Sequence, residues 1–376
     1  MEASTKNMLR DEITDATAAA FAGTTVIPDR YVWSDEIARE GAVVACDEES
    51  CKLIPILDMA SLLDGSQEEI GKLGSACRGW GFFQLKNHCV DKTVLERVKD
   101  NTLEFFKLPL EKKKEVAIVN AEDGFQGFGH HFNTSTGKLD WAESLLLGLQ
   151  PVEHRNMDIW PTHPPTFREA AERYSMEMTK LTSLLMASMA IDLGVKPETL
   201  LETIQGKLQN MVFHHYPPCR HDADKVMGIP SHTDGLCLTV VLELDTTPGL
   251  QVKKEGRWFP VRPLPGSFTV FVGDILEVLT NGKYKSVEHR VLVDAERDRV
   301  TVATFQDACV AGMVKPLPEL GEEARYESIG KLDYTHRQFS FLSSVVMKMY
   351  TSSMSLGIVL LHSTILMHYI WTISKC

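Results

Sequence analysis

Between residues 208 and 306 the chain is a succession of short runs rich in β-branched and aromatic residues, cut at close intervals by Gly, Pro, Asn and Asp. Residues 211–215, 236–244, 249–252, 258–261, 267–272, 287–293 and 299–305 each read as a strand. Pro217-Pro218, Pro248-Gly249, Pro265-Gly266 and Asn281-Gly282 read as the breaks. Closely spaced short strands build a sandwich or a barrel. No helical pattern is read between them, which argues against a doubly wound parallel sheet. The expected fold is mainly β with α: a double-stranded β-helix (jelly roll) core with N-terminal helices packed around it.

The first half supplies those helices. Helical spacing covers 67–80 and 94–106, the latter stopping at Pro109, with short strands at 53–57 and 81–85. The longest helical pattern spans 166–193, with Thr166 as N-cap and Gly194 past its end, and 197–204 follows as a shorter helix. The chain therefore divides into a flexible arm (1–50), a mixed helical region (51–205), the jelly roll (206–338) and a hydrophobic tail (339–376). Residues 349–374 of the tail contain no Asp, Glu, Lys or Arg. That is long enough for a membrane-span candidate, although Ser, Thr, His362 and His368 dilute it. An alternative C-terminus is the favoured reading of this tail; an anchor and a packed terminal helix are the others.

Charge narrows the partners. The 39 basic and 51 acidic residues leave a formal charge of −12. This disfavours nucleic acid, and an anionic membrane surface, as the main partner. The eight cysteines form no CxxC pair and match no zinc spacing. Lys6, Arg10, Asp11 and Glu12 stand where a signal peptide needs an apolar run. A cytoplasmic protein with reduced thiols is expected, and a monomer is the default.

His232-Thr233-Asp234 is the only HxD in the chain. On a strand, positions i and i+2 share a face, so an imidazole and a carboxylate can grip one metal. With 13 histidines a chance match is expected, and the motif alone is weak. His289, set in Ser286-Val287-Glu288-His289-Arg290-Val291-Leu292-Val293, is either a hydrogen-bonded core histidine or a third ligand. Two histidines and one carboxylate leave three positions of an octahedral Fe(II) open, whereas a structural zinc closes its shell with four ligands. Arg299 and Thr301 alternate to one face of an otherwise apolar strand. An inward guanidinium needs an anion, and a carboxylate meets it with two parallel hydrogen bonds. Alone, Arg299 would be read as a surface ion pair with Glu296 or Asp298.

Together these segments resemble the plant 2-oxoglutarate- and Fe(II)-dependent dioxygenases, the group of flavonol synthase, anthocyanidin synthase and the alkaloid demethylases. The resemblance runs from about Leu53 to Gln338. It rests on IPILDM, GWGFFQLKNHCV, FFKLPLEKK, KLDWAESL, HHYPPC, SHTDGLCLTVVLEL, the long block from PGLQVKK to SVEHRVLV, and DRVTVATF. It implies His232, Asp234 and His289 as iron ligands, and Arg299, Thr301 and Tyr216 as the 2-oxoglutarate seat. It further implies Phe305, with Asp307 and Phe132, at the substrate pocket. The implied reaction oxidises a small plant metabolite by hydroxylation, demethylation or desaturation. It consumes O2 and 2-oxoglutarate, yields succinate and CO2, and uses ascorbate as reductant. No side-chain nucleophile or acid–base pair is required.

Four departures stand out. RxT replaces RxS. HHYPPC replaces NYYPPC, putting His214 where relatives have asparagine. NHCV replaces NHGV, putting Cys89 on a glycine position, with a stability cost if the backbone there has positive φ. The tail replaces a charged terminal helix that normally helps cover the substrate mouth. Two competing readings remain: a catalytically impaired jelly roll that binds a small molecule, associated with a membrane through its tail, and a zinc jelly-roll hydrolase.

Overall fold

The computed structural model describes residues 26–34, 43–44, 53–118, 126–130 and 138–340, and of 336–340 only the backbone. Most of the arm, most of the tail, and Phe132 fall outside these.

The first half alternates strands and helices. β1 (Ile56–Asp58) leads into α1 (Met59–Leu63) and α2 (Gln67–Gly79), then β2 (Phe82–Lys86), α3 (Lys92–Lys107) and α4 (Leu110–Lys113). The strands β3 (Gly127–Gly129) and β4 (Glu143–Gln150) precede the 27-residue α5 (Phe167–Leu193) and α6 (Pro197–Ile204). The helix starts follow the capping rule in part. Asp58, Ser66 and Asp91 each accept from backbone N–H groups of the helix that follows. Thr166 occupies the N-cap position of α5 but makes no cap hydrogen bond, because its Oγ1 donates to Asn101 Oδ1 at 2.9 Å. The other end behaves as expected: Gly194 takes φ 76° and closes α5.

The second half carries β5 (Gln209–Tyr216), β6 (Ile229–His232), β7 (Leu238–Glu243), β8 (Leu250–Lys254), β9 (Arg257–Pro260) and β10 (Phe268–Val272). After α7 (Asp274–Leu279) come β11 (His289–Val291), β12 (Arg299–Gln306), the small pair β13 (Met313–Val314) and β14 (Ile329–Gly330), and α8 (Lys331–Ser340). Among the described residues the major sheet has eight strands in the order β1-β2-β10-β7-β12-β5-β4-β3, and the minor sheet four, β6-β11-β8-β9. Strands from both halves of the chain thus share the major sheet. The two sheets close on each other through Phe82 and Phe271 of the major sheet, which cluster with Leu250 and Val252 of the minor one. Tyr216 does the same with Ile229 and Val291. This is the jelly roll expected from the strand spacing.

Three local readings are corrected. The β run is interrupted by α7: Asp-Ile-Leu-Glu-Val-Leu places Ile275, Leu276 and Leu279 on one buried stripe, too short a pattern to stand out. The eight-residue β4 was not anticipated. Its Glu-Ser-Leu-Leu-Leu-Gly-Leu-Gln has no clean alternation, because Leu146 and Gly148 occupy the half-buried face where polar residues would have marked the period. The first half, read with strands only at 53–57 and 81–85, also contributes the short strand β3 at Gly127–Gly129. Cys89 has φ 59°, so the residue stands in a left-handed conformation that favours glycine.

Candidate metal and dicarboxylate site

His232 and His289 meet because β6 and β11 pair antiparallel with these two residues in register. His232 is the last residue of β6, and Asp234 lies beyond the strand, in the connection to β7. The shared-strand geometry read from HxD is therefore corrected: the carboxylate is aimed by a loop. That loop is firmly strapped. Asp274 N donates to Asp234 O at 2.7 Å, Ile275 N to Leu236 O at 3.1 Å and Gly273 N to Cys237 O at 2.9 Å. Thr233 Oγ1 donates to Asp274 Oδ2 at 3.2 Å, and Tyr334 of α8 donates to Gly235 O at 2.8 Å. Gly273 must be glycine here, since a Cβ would meet Leu236 O at 2.1 Å and Asp234 O at 3.0 Å.

One ligating atom from each of His232, Asp234 and His289 lies within 4.8 Å of the others. Asp234 Oδ1 is 3.7 Å from His232 Nε2 and 3.8 Å from His289 Nε2. Each ring donates its Nδ1–H to a backbone carbonyl, His232 to Pro230 at 2.8 Å and His289 to Val287 at 3.1 Å. Those bonds fix the tautomer and turn the Nε2 lone pairs toward the carboxylate. Burial, and then the neighbouring His289, push the His232 imidazole down to about 4, so it stays neutral and able to ligate. Asp234 Oδ2 is buried and has no hydrogen-bond partner among the described residues. A buried, unpartnered carboxylate oxygen beside two imidazoles whose Nδ1 atoms are already engaged fits a divalent cation with open coordination positions. Phe271 stacks on His289 at 4.3 Å and walls that side.

The second half of the site belongs to the major sheet. On β12, Arg299 and Thr301 face the same side, with Arg299 opposite Tyr216 and Thr301 between His214 and Glu243. The Arg299 guanidinium lies 5.0 Å over the Tyr216 ring, and its Cδ would lie 3.1 Å from a Cβ at Gly249. Arg299 is thus held between the two sheets, and it is buried. Its Nε and Nη1 have no hydrogen-bond partner among the described residues, while Nη2 donates to Glu243 Oε1 at 2.7 Å. The surface pairing with Glu296 or Asp298 is not formed. Two free donors on a buried guanidinium fit a bound carboxylate.

The remaining expected residues are placed as follows. Phe305 shares the strand face of Arg299 and Thr301 and is half-buried. Asp307 is buried and already paired with Lys331 Nζ of α8 at 2.6 Å. His214 is buried, pairs with Ser144 Oγ at 2.8 Å and lies near Tyr216. His215 points away, into a chain of charges: Lys113 to Glu143 at 2.6 Å, Glu143 to His215 at 3.0 Å, and His215 to Asp298 at 2.7 Å. Sequence reasoning missed Glu243, although a lone acidic residue in Leu-Thr-Val-Val-Leu-Glu was a visible signal. It also missed the loop-packing role of Gly273.

Known proteins share sequence and fold with this chain. The 2OG-Fe(II) oxygenase superfamily profile matches residues 207–308, and that of the non-haem dioxygenase in morphine synthesis N-terminal matches 54–163. The chain is 39% identical over 325 residues to Protein SRG1 of Arabidopsis thaliana, covering 84% of this chain and 89% of the relative. It is 36% identical over 322 residues to codeine O-demethylase of Papaver somniferum, covering 81% and 87%. The crystal structure of JOX2 in complex with 2OG, Fe and JA superposes with a TM-score of 0.77 at 28% identity, over 87% of this chain and 93% of that one.

Proposed function

From the premise that this chain belongs to the 2OG-Fe(II) oxygenase superfamily, as a 2-oxoglutarate-dependent dioxygenase, we propose that His232, Asp234 and His289 hold its iron and that Arg299, Thr301 and Tyr216 seat its 2-oxoglutarate. The observation that carries the assignment is the convergence of two lone-pair nitrogens and a carboxylate oxygen within 4.8 Å, the other oxygen of that carboxylate being buried and unpartnered among the described residues. When bound, Fe(II) with 2-oxoglutarate and O2 supplies an oxidation coupled to decarboxylation of 2-oxoglutarate to succinate and CO2.

The chain's own residues do the rest. Backbone carbonyls at Pro230 and Val287 hold the two imidazoles in the ligating tautomer. The straps from α7 and Tyr334 fix the loop that aims Asp234. Arg299 receives the distal carboxylate of 2-oxoglutarate, and the Thr301 hydroxyl donates beside it. Anchoring the metal on the minor sheet and the distal carboxylate on the major sheet orients the cosubstrate across the space between the two sheets. Buried Phe271 and Tyr216 exclude water there. No side chain acts as acid, base or nucleophile.

The substrate is a small molecule of the plant specialised-metabolite class, and the oxidation is a hydroxylation, demethylation or desaturation. The relatives' names support this, two being codeine O-demethylase and oxoglutarate-dependent flavonoid 7-O-demethylase 1 of Ocimum basilicum. Phe305 lines the substrate side, and ascorbate serves as reductant. The protein works as a monomer in the cytoplasm. No helix among the described residues is long and apolar enough to cross a membrane.

The test loads the full chain anaerobically with Fe(II), adds 2-oxoglutarate and looks for the weak visible charge-transfer band of the chelate. The band is expected in the wild type and absent in His232→Ala and in Arg299→Ala. Its absence from well-folded wild-type protein would overturn the assignment.

A further inference from the structure

Arg299 already carries a carboxylate before any ligand arrives. Glu243 Oε1 accepts from its Nη2 at 2.7 Å, both side chains are largely buried, and three of the pair's polar atoms have no partner among the described residues: Glu243 Oε2, Arg299 Nε and Arg299 Nη1. The guanidinium therefore offers two donors to an incoming anion while a second anion sits against it. When the distal carboxylate of 2-oxoglutarate docks there, two carboxylates share one cation in a buried site. Like charges so placed do not both stay ionised; one group binds a proton.

The surroundings single out Glu243 as that group. On β12 it faces Arg299 and Thr301; on β5 beyond lie Tyr216 and His214. On this face the neighbouring β10 presents Thr269, in register with Val241, and it does not titrate. Just before β8 of the minor sheet, Gly249 abuts Arg299. Asp245 is occupied, with Oδ1 accepting from Thr247 N at 2.8 Å and Oδ2 from Val300 N at 2.6 Å. Asp140 acts on Tyr216, and the buried Tyr216 phenol is pushed up and stays neutral. Burial also pushes Glu243 up, against the pull of Arg299.

We propose that Glu243 takes up one proton from solvent when 2-oxoglutarate seats on Arg299, and that the protonated Oε2 then donates a hydrogen bond to the ligand's distal carboxylate. Glu243 Oε1 keeps accepting from Arg299, and the ligand stays fully ionised. Glu243 is thus a positioning residue that links cosubstrate binding to pH. This rests on the assignment of Arg299 above.

The experiment is calorimetric titration of 2-oxoglutarate into the full chain loaded with Mn(II), in two buffers of different ionisation enthalpy. About one proton taken up per ligand is expected near neutral pH, with affinity falling roughly tenfold per pH unit above the point where free Glu243 titrates. Glu243→Gln, which supplies the same acceptor and donor without a proton, should bind with no uptake and no pH slope. The wild-type slope is a second readout that needs no variant. A wild type that exchanges no proton, or a Glu243→Gln protein with the same uptake, overturns the proposal. If Arg299→Met binds 2-oxoglutarate as tightly as wild type, the Arg299 assignment itself falls; if that variant loses binding while the wild type takes up no proton, only the role of Glu243 does.

Discussion

Two histidine–carboxylate clusters sit on opposite sides of the major sheet's β5–β12 region, and they are built to opposite rules. In the Lys113–Glu143–His215–Asp298 chain every charge touches an opposite one, so it is complete as folded. Burial would lower the His215 imidazole, but Asp298 and Glu143 outweigh it and leave it raised. In the His232–Asp234–His289 cluster the imidazoles are held by backbone carbonyls, and Asp234 Oδ2 is left unpartnered. A finished ion-pair network stabilises the fold; an unfinished one holds a cation. Residue type does not separate the two, since both contain histidine and acid. What separates them is which hydrogen bonds are already made.

The sharpest way to break this comparison is to remove one member of each. Asp234→Ala should abolish 2-oxoglutarate consumption and weaken Fe(II) binding by more than the roughly 10–100-fold that loss of an outer partner costs. The melting temperature of the metal-free protein should not fall, because the change removes a buried carboxylate oxygen that nothing satisfies. Lys113→Met should do the reverse. It leaves Glu143 buried without its lysine and should cost about 3–5 kcal/mol of stability in urea unfolding. The folded fraction should still form the Fe(II)–2-oxoglutarate band. Loss of that band in folded Lys113→Met protein would merge the two clusters into one site.

Gly273→Ala should have a smaller effect on the metal centre. The added Cβ pushes on Leu236 O and Asp234 O, moving a ligand without deleting it. Fe(II) affinity, read by competition with a chelator, should drop about 10–100-fold. A pH series sharpens the contrast further. The raised His215 contributes stability that is full below its ordinary value of 6.5 and is lost as pH rises through its folded value. Glu143 and Asp298 are held below the usual carboxylate range, Glu143 by His215 and Lys113 against its burial, Asp298 first by its hydrogen bond to His215. Their contribution is full above that range and is lost as pH falls through their lowered values. The stability gap between wild type and His215→Gln should therefore shrink as pH rises above 6.5 and through the raised value of His215. A gap that grows there would show that His215 is not held protonated by its partners.

Much of the architecture was legible because its signals are local. Alternation and turn residues marked β5, β7, β8, β9, β10 and β12 to within a few residues, and helical spacing with Gly194 marked α5. The buried strand β4 and the six-residue helix α7 were not legible, since one lacks alternation and the other is too short for a period. The candidate ligands were legible as residue types at a spacing, and Arg299 as a charge in an apolar strand. Cys89 was legible as an awkward substitution, and its φ of 59° is where the awkwardness lies.

The sequence by itself determined the β-rich core, the residues His232, Asp234, His289, Arg299, Thr301 and Tyr216, and the chemistry such a set can host. Only the tertiary structure decided how they are used. Strand pairing brought His289 opposite His232 across 57 positions of chain, and α7 aimed Asp234 from a loop. Strand register set Glu243 within reach of Arg299, and sent His214 and His215 to opposite faces of one strand. The physical reason is that residue chemistry is written along the chain, whereas hydrogen-bond completion, and with it the difference between a salt bridge and a binding site, depends on partners far apart in sequence.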